Sequence, residues 1–383
     1  MHPILKRLKA ELVARRAQGL GRAVQPVHRK HATLVDYDGQ CLIDFASNDV
    51  LGLARDPEAA SYLAELCKVH GCGAGASRLV TGTTHELIVA EQRLADFFGY
   101  ESCLLVTSGF VANLAVLGTM FSAPDTLVID KRIHASAMAG VLASRAQFHS
   151  FRHNQLTHLE NLLRTRPVQA VVTESLFSMD GDSPDFGKLA QLKARFAFLT
   201  LVDEAHAFGV LGPQGRGLAQ GVADVAVGTL GKAFGLYGAF ILGPSLVRDY
   251  LINHSSAFIY TTALPPWFGP LVLYMLERVS RAEKERAHVA CMSELLRTKL
   301  WAAGLAVQGL AHIVVVHIGP EEKCQRIVQA LRDQGFLVFG ARYPTVPLGR
   351  AVVRICVHSL HTLEQVDTLA KALVSTAHKE ALL

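Results

Sequence analysis

Residues able to do chemistry stand where apolar runs end. Asp203 and His206 close the run "FAFLTLVDEAH", and Lys232 follows the run that opens "VAVGTLGKAFG". Ser178 and Asp180 come at the end of "VVTESLFSMD". Ser108, Gly109 and Phe110 end "CLLVTSGF" and open a predicted helix, whose first backbone N–H groups have no partner within the helix and suit a phosphate. Singly, each residue has an ordinary role: an aspartate caps a helix, a histidine is a satisfied structural side chain, a lysine after glycine is exposed. Together they suit one cofactor type, a pyridine aldehyde. A lysine amine forms a Schiff base with an aldehyde. An aspartate holds a pyridine nitrogen protonated, which makes the ring an electron sink. An imidazole or aromatic ring stacks on the pyridine face. A phosphate-binding P-loop is a poor reading, because the residues around Lys232 are "GTLGKA" and lack GxxxxGK[ST].

The elements that must position these groups follow from texture. Short apolar runs ("SCLLVTSG", "DTLVID", "AVVTES", "FAFLTLVDEAH", "YGAFILG") read as strands buried on both faces of a mostly parallel sheet. Helical stretches such as "HLENLLRTR" and "FGKLAQLKARFA" alternate with them, so the class is α/β with a doubly wound sheet. In such a sheet ligands bind beyond the carboxyl ends of the strands, where the residues above are expected. The stretch "VSRAEKERAHVACMSELLRTKLWAAG" reads as one long charged helix ending at Gly304. Shorter strands and helices follow it, and Thr362 with Gln365 fits a capping box for the last helix. The expected division is 1–45 for an N-terminal helix and short strands, 46–284 for the large domain, and 285–383 for a small α/β domain.

Composition narrows the function classes. The chain has 383 residues, half of them hydrophobic and 19% charged, which is a globular balance with room for two domains. No apolar stretch reaches the ~18 residues needed to span a bilayer. The N-terminus is basic, lacks the continuous apolar segment of a signal peptide, and places Leu5, Leu8 and Leu12 on one face of an amphipathic helix. The seven cysteines form no CxxC pair and are expected as reduced, mostly buried thiols of a cytoplasmic protein. The net charge of +5 is mild and dispersed, so neither nucleic acid nor a membrane is an expected partner, whereas an acidic ligand or acidic carrier protein is compatible with it.

With these residues in view, the chain resembles the α-oxoamine synthases, pyridoxal-phosphate enzymes of fold type I (aspartate aminotransferase-like). The resemblance runs over nearly the whole chain and is carried by "DFASNDVLGL", "GCGAGASRLVTG", "TSGFVANLAV", "KRIHASAMAG", "TESLFSMDGD", "LVDEAHAFGVLGPQGRG", "GTLGKAFG", "FIYTTALPP" and "VVRICVHSLHT". It implies a mostly parallel central sheet with helices on both faces, a smaller C-terminal α/β domain, and pyridoxal 5'-phosphate as cofactor. Lys232 matches the Schiff-base lysine, and its buried, glycine-rich setting is expected to lower its pKa. Asp203 matches the partner of the pyridinium nitrogen, His206 the residue beside the ring hydroxyl, and His134 the histidine that stacks on the ring. Gly109 and Phe110 match the phosphate-binding amides, and Ser178 and Thr229 further cofactor contacts. Thr262, or Thr261, matches the residue that reaches the phosphate from the second subunit of a homodimer with shared sites. Arg354 matches the arginine that clamps the amino-acid carboxylate, where a bidentate fork favours Arg over Lys. Arg22, Asn48 and Thr345 match substrate contacts, Arg22 being suited to a distal carboxyl group on the acyl chain.

The implied reaction is a decarboxylative condensation of L-alanine with a pimeloyl thioester, on acyl carrier protein or coenzyme A, in biotin biosynthesis. Two alternatives stand beside it: an α-oxoamine synthase using glycine or serine with another acyl group, and a catalytically silent cofactor-binding protein. Three positions depart from the family pattern. Val50 replaces an aromatic residue, a change able to reshape the acyl channel. His85 lies two residues before its usual site, which Leu87 occupies. Phe208 stands where a small or hydroxyl residue is frequent.

Overall fold

The computed structural model describes residues 1–31 and 33–382, which fold as two compact units. The larger comprises Asn48–Phe177 and Asp182–Arg286. It is built on a seven-stranded sheet in the spatial order Ser102–Val106, Ala239–Gly243, Val225–Thr229, Leu199–Asp203, Ala170–Glu174, Thr126–Asp130, Gln147–Phe151. Ala239–Gly243 runs against both of its neighbours, and the five strands beyond it are mutually parallel. The strands Ser102–Val106, Ala170–Glu174 and Ala239–Gly243 are buried at every residue, as expected of apolar runs covered on both faces. Helices Gly109–Met120 and Ala135–Ser144 pack on the sheet through residues such as Ala115, Val116 and Val141. Helices Leu156–Thr165 and Phe186–Phe196 pack through Leu159, Leu163, Leu189 and Leu192.

Because parallel neighbours end in register, their carboxyl ends line up. Glu174 pairs with Asp203, and Asp203 with Val227. Short caps then turn the chain into the following helices: Ser108 Oγ accepts from Val111 N across 3.3 Å, and Asp185 Oδ1 accepts from Lys188 N across 2.9 Å.

The smaller unit comprises Met1–Ser47, Ser178–Gly181 and Ala287–Leu383. One of its sheets joins Val27–His31, Leu34–Tyr37, Gln40–Asp44 and Phe336–Leu337. The other joins Val307–Gln308, Ile313–Gly319, Ala351–Cys356 and Phe339–Ala341. The N-terminal segment expected to stand apart over 1–45 therefore belongs with the C-terminal residues: Phe336–Leu337 adds in parallel to Gln40–Asp44, and Phe45 packs in the same core as Leu331, Val353 and Leu369. The final helix, Leu363–Lys379, opens with the expected capping box of Thr362 and Gln365.

One further expectation is shifted and two are corrected. The long charged helix read over 279–304 runs over Glu283–Ala302, and the first residues of that stretch, Val279 and Ser280, end a separate helix, Phe268–Ser280. The break falls where the buried Arg286 guanidinium donates to the carbonyls of Val279 (2.7 Å) and Ser280 (3.5 Å), capping the first helix. Helix Pro3–Ala17 buries no residue, so its leucine stripe is exposed. All seven cysteines are free, but only Cys103, Cys324 and Cys356 are buried. Cys67 is half-buried, and Cys41, Cys72 and Cys291 are exposed.

Candidate functional site

In the larger unit, the residues singled out by type gather at the carboxyl ends of the parallel strands. Asp203 ends Leu199–Asp203 and is half-buried. Its Oδ1 accepts from Ala205 N (2.9 Å) and its Oδ2 from Asn113 Nδ2 (2.7 Å). Asn113 is buried on the second turn of helix Gly109–Met120, and its amide also donates to Ser136 Oγ at 3.0 Å. Ser136 Oγ lies 2.7 Å from Nδ1 of His134, which caps helix Ala135–Ser144. A chain of hydrogen bonds thus runs Asp203–Asn113–Ser136–His134. Burial pulls the His134 pKa down, the Asp203 charge opposes this, and the Lys232 charge adds to it. The net shift is downward, which favours a neutral ring.

Lys232 lies between the strands Val225–Thr229 and Ala239–Gly243. It is half-buried rather than buried, because its segment is a turn at the strand ends and not part of the sheet. Gly235 closes that turn by donating its N–H to Lys232 O at 2.9 Å. It has φ +64°, and a Cβ there would lie 2.4 Å from Ala54 N, so this position requires glycine. Thr229 Oγ1 accepts from Gly231 N and donates to Gly238 O, both at 3.2 Å, which ties the turn to the strand. His206 is buried three residues beyond Asp203.

Gly109 and Phe110 open a twelve-residue helix capped by Ser108, so their N–H groups are available to an anion. A half-buried lysine, a carboxylate held by two donors, an imidazole whose pKa is shifted downward and a helix N-terminus are a set that fits pyridoxal phosphate. Thr262 is exposed and bridges to Ser77, Thr261 is half-buried, and Asn48 accepts from Val50 N at 2.9 Å through its carbonyl.

In the smaller unit, Arg354 is buried on strand Ala351–Cys356, and its Nε donates to the carbonyl of Ser178 at 2.5 Å. Ser178 thus belongs to this unit. Arg22 Nη2 donates to Thr345 Oγ1 at 3.1 Å. Both line a cavity of about 610 Å3 that Arg332 and Arg342 also line, and no carboxylate is among its described lining residues. Arg342 Nη1 donates to Gly19 O at 2.7 Å, which holds the segment carrying Arg22.

The departures have packing roles. Phe208 is buried in a cluster with Phe98, 4.1 Å between centroids, and Phe240, 5.7 Å. The cluster closes over Gly228, where a Cβ would lie 2.3 Å from Phe240 Cζ. Val50 is buried. His85 is exposed at the start of helix His85–Phe98, while Leu87 is fully buried and donates its N–H to the Thr84 cap.

Two residues of this region escape sequence reasoning. Asn113 is a polar residue in an apolar helix, one turn after Gly109, and that isolation is its only signal. Glu174 is buried; burial, then the adjacent Asp203 charge, push its pKa well above the usual carboxylate range, against the Lys232 charge and a hydrogen bond from the His134 backbone N–H. It reads in sequence as one more strand end.

The chain matches the family described as aminotransferase class I and II over residues 41–373. It is 40% identical over 377 residues to 8-amino-7-oxononanoate synthase of Gluconacetobacter diazotrophicus, with 95% of each chain covered. It is 38% identical over 374 residues to that of Anaeromyxobacter dehalogenans, with 96% of this chain and 94% of the relative covered. Among solved structures, a serine palmitoyltransferase from S. paucimobilis with a bound PLP–myriocin aldimine is similar, with TM-score 0.93, 26% identity and all of both chains covered. So is an 8-amino-7-oxononanoate synthase from Francisella tularensis, with TM-score 0.79, 29% identity, and 89% of this chain and 99% of that one covered. The chain belongs to the aminotransferase class I and II family.

Proposed function

We propose that this protein is a pyridoxal-phosphate-dependent acyltransferase that joins L-alanine to a pimeloyl thioester, giving 8-amino-7-oxononanoate, CO2 and a free thiol, a step of biotin biosynthesis. The observation that carries the reading is the full-length similarity to 8-amino-7-oxononanoate synthases, together with the Asp203–Asn113–Ser136–His134 chain at the strand ends.

Bound here, pyridoxal phosphate supplies an electron sink for the electron pair left at Cα of alanine. The residues do the rest. Lys232 would hold the cofactor's aldehyde carbon through its amine and, as a free amine, would take the proton from Cα of alanine. Asp203 keeps the ring nitrogen protonated, and Asn113 fixes which way its carboxylate faces. His134 stacks on the ring in its neutral form, and His206 faces the ring hydroxyl. Gly109 and Phe110 N–H groups hold the phosphate, with Ser178 and Thr229 as further contacts. Arg354 binds the alanine carboxylate until it leaves as CO2. Arg22 binds the far carboxylate of the acyl chain, with Thr345 and Asn48 lining the substrate's path, and the basic cavity around Arg22, with no carboxylate among its described lining residues, supports that role.

The reading extends to a homodimer in the cytoplasm, in which Thr262 reaches the phosphate bound in a second copy, and to acyl carrier protein or coenzyme A as the thiol. The test is spectroscopic. Added pyridoxal phosphate is expected to give a visible absorption band that alanine shifts at lower concentration than glycine or serine. A band that ignores all three amino acids contradicts the proposal.

A further inference from the structure

Strands Thr126–Asp130 and Gln147–Phe151 are parallel neighbours that end together, Asp130 opposite Phe151. The chain leaves the first toward His134 and the second toward His153. The two exits are tied. Asp130, fully buried, accepts from Arg132 N at 2.8 Å on Oδ1, which turns the backbone two residues before the site's histidine. The same oxygen lies 2.9 Å from His153 Nδ1, and Oδ2 accepts from Asn154 N at 2.8 Å. The other ring nitrogen, Nε2, lies 2.9 Å from Asp182 Oδ2 and 3.1 Å from Oδ1. Asp182 in turn accepts from Phe177 N through its carbonyl at 2.9 Å, and the His153 ring stands edge-on to the Phe177 ring, 4.4 Å between centroids.

A ring with a carboxylate at each nitrogen is served best as an imidazolium donating both N–H groups. Burial opposes that charge, but the hydrogen bonds and charges of Asp130 and Asp182 outweigh it and raise the His153 pKa to about 9. Asp182 answers in kind: burial raises its pKa, but the hydrogen bond and charge of His153 prevail and the net shift is downward.

We propose that His153 is a positioning residue: by clasping Asp130 and Asp182 it fixes both the turn that leads to His134 and the feet, Phe177 and Asp182, of the loop that carries Ser178. The inference rests on the reading of His134 as the residue stacked on the cofactor ring. It assigns His153 no contact with cofactor or substrate.

The test compares His153→Gln, Asp182→Asn, their combination and His134→Ala in the enzyme loaded with pyridoxal phosphate, by visible circular dichroism of the cofactor, its dissociation constant, and the thermal midpoint. Glutamine is neutral and carries both of its N–H donors on one nitrogen, so it cannot place a charged donor atom at each carboxylate as the ring does; His153→Gln is expected to shrink the visible dichroism and weaken cofactor binding about tenfold. Asp182→Asn is expected to act in the same direction, and the combination to be no worse than His153→Gln alone, because both remove one clasp. Should His153→Gln fail to fold, Asp182→Asn decides by the same readouts. Dichroism and affinity at wild-type values in the clasp variants, whatever the thermal midpoint does, overturn the positioning role while His134→Ala still alters both. Wild-type values in His134→Ala as well overturn the ring-stacking reading, and the proposal with it.

Discussion

Asn113 Nδ2 donates to Asp203 Oδ2 across 2.7 Å, from a buried position on a helix to the end of a strand ninety residues away in sequence. In the role proposed for Asp203, the carboxylate faces a ring nitrogen, and this amide fixes one of its oxygens. Asn113→Ala removes one hydrogen bond to a charged group, so kcat with alanine is expected to fall about ten- to a hundredfold. Cofactor binding through the phosphate contacts proposed at Gly109 and Phe110 is expected to be unchanged. Steady-state kinetics at saturating cofactor check this, and a wild-type kcat would show that the Asp203 orientation does not depend on Asn113.

Asp203→Asn keeps the shape and removes the charge. Cofactor is expected to bind still, while exchange of the alanine α-proton with deuterated water slows by orders of magnitude. Proton NMR of alanine follows the exchange directly. Exchange at the wild-type rate would rule out Asp203 as the support of the electron sink.

Arg354 and Arg22 are assigned to different substrates, so their variants are expected to fail differently. Arg354→Ala should weaken alanine binding by about 2–4 kcal/mol and leave the thioester's KM nearly unchanged. Arg22→Ala should do the reverse and narrow the preference for a pimeloyl over an octanoyl thioester. Kinetics with each substrate varied in turn separate the two, and an Arg22→Ala enzyme with unchanged acyl preference would make that arginine structural.

The smaller unit carries a pH dependence of its own. His358 and His361 are buried side by side, 3.7 Å between ring centroids, and His361 stacks on Phe45 at 3.8 Å. Burial pulls His358 down to about 4, and burial with the neighbouring His358 pulls His361 well below its ordinary range. The unfolded chain therefore takes up protons first as pH falls. Their stabilisation is complete above the ordinary histidine pKa of about 6.5 and is lost as pH falls from there toward 4, with His358 accounting for on the order of 3 kcal/mol. The urea midpoint is expected to drop between pH 7 and 5, and to drop less in His358→Gln. An equal drop in both proteins would place the acid sensitivity elsewhere.

What the sequence makes legible follows from how local each cause is. Asp203 ends an apolar run, and Lys232 follows one into a glycine-flanked turn, so texture alone marks them, whereas Thr229 is marked only by the family resemblance. Thr362 and Gln365 announce their helix three residues apart. Asn113, Glu174 and His153 are not legible this way, because each acquires its role from a partner on another strand or helix, and register between distant strands is not written in either one. The break between Phe268–Ser280 and Glu283–Ala302 is of the same kind: it needs Arg286 to fold back on carbonyls that the helical pattern presents as ordinary. Lys232 looked buried because its neighbours are apolar, yet those neighbours turn inward while the turn itself meets solvent.

The proposed reaction joins alanine to a pimeloyl thioester with loss of the alanine carboxylate. Its most direct measurement is a reaction of the purified protein, loaded with pyridoxal phosphate, with carboxyl-13C-labelled L-alanine and pimeloyl thioester, followed by mass spectrometry of both gas and solution. Labelled CO2 and unlabelled 8-amino-7-oxononanoate are expected in equal amounts, with neither formed by Lys232→Ala. Label retained in the organic product, or no product from alanine while glycine or serine reacts, would contradict it.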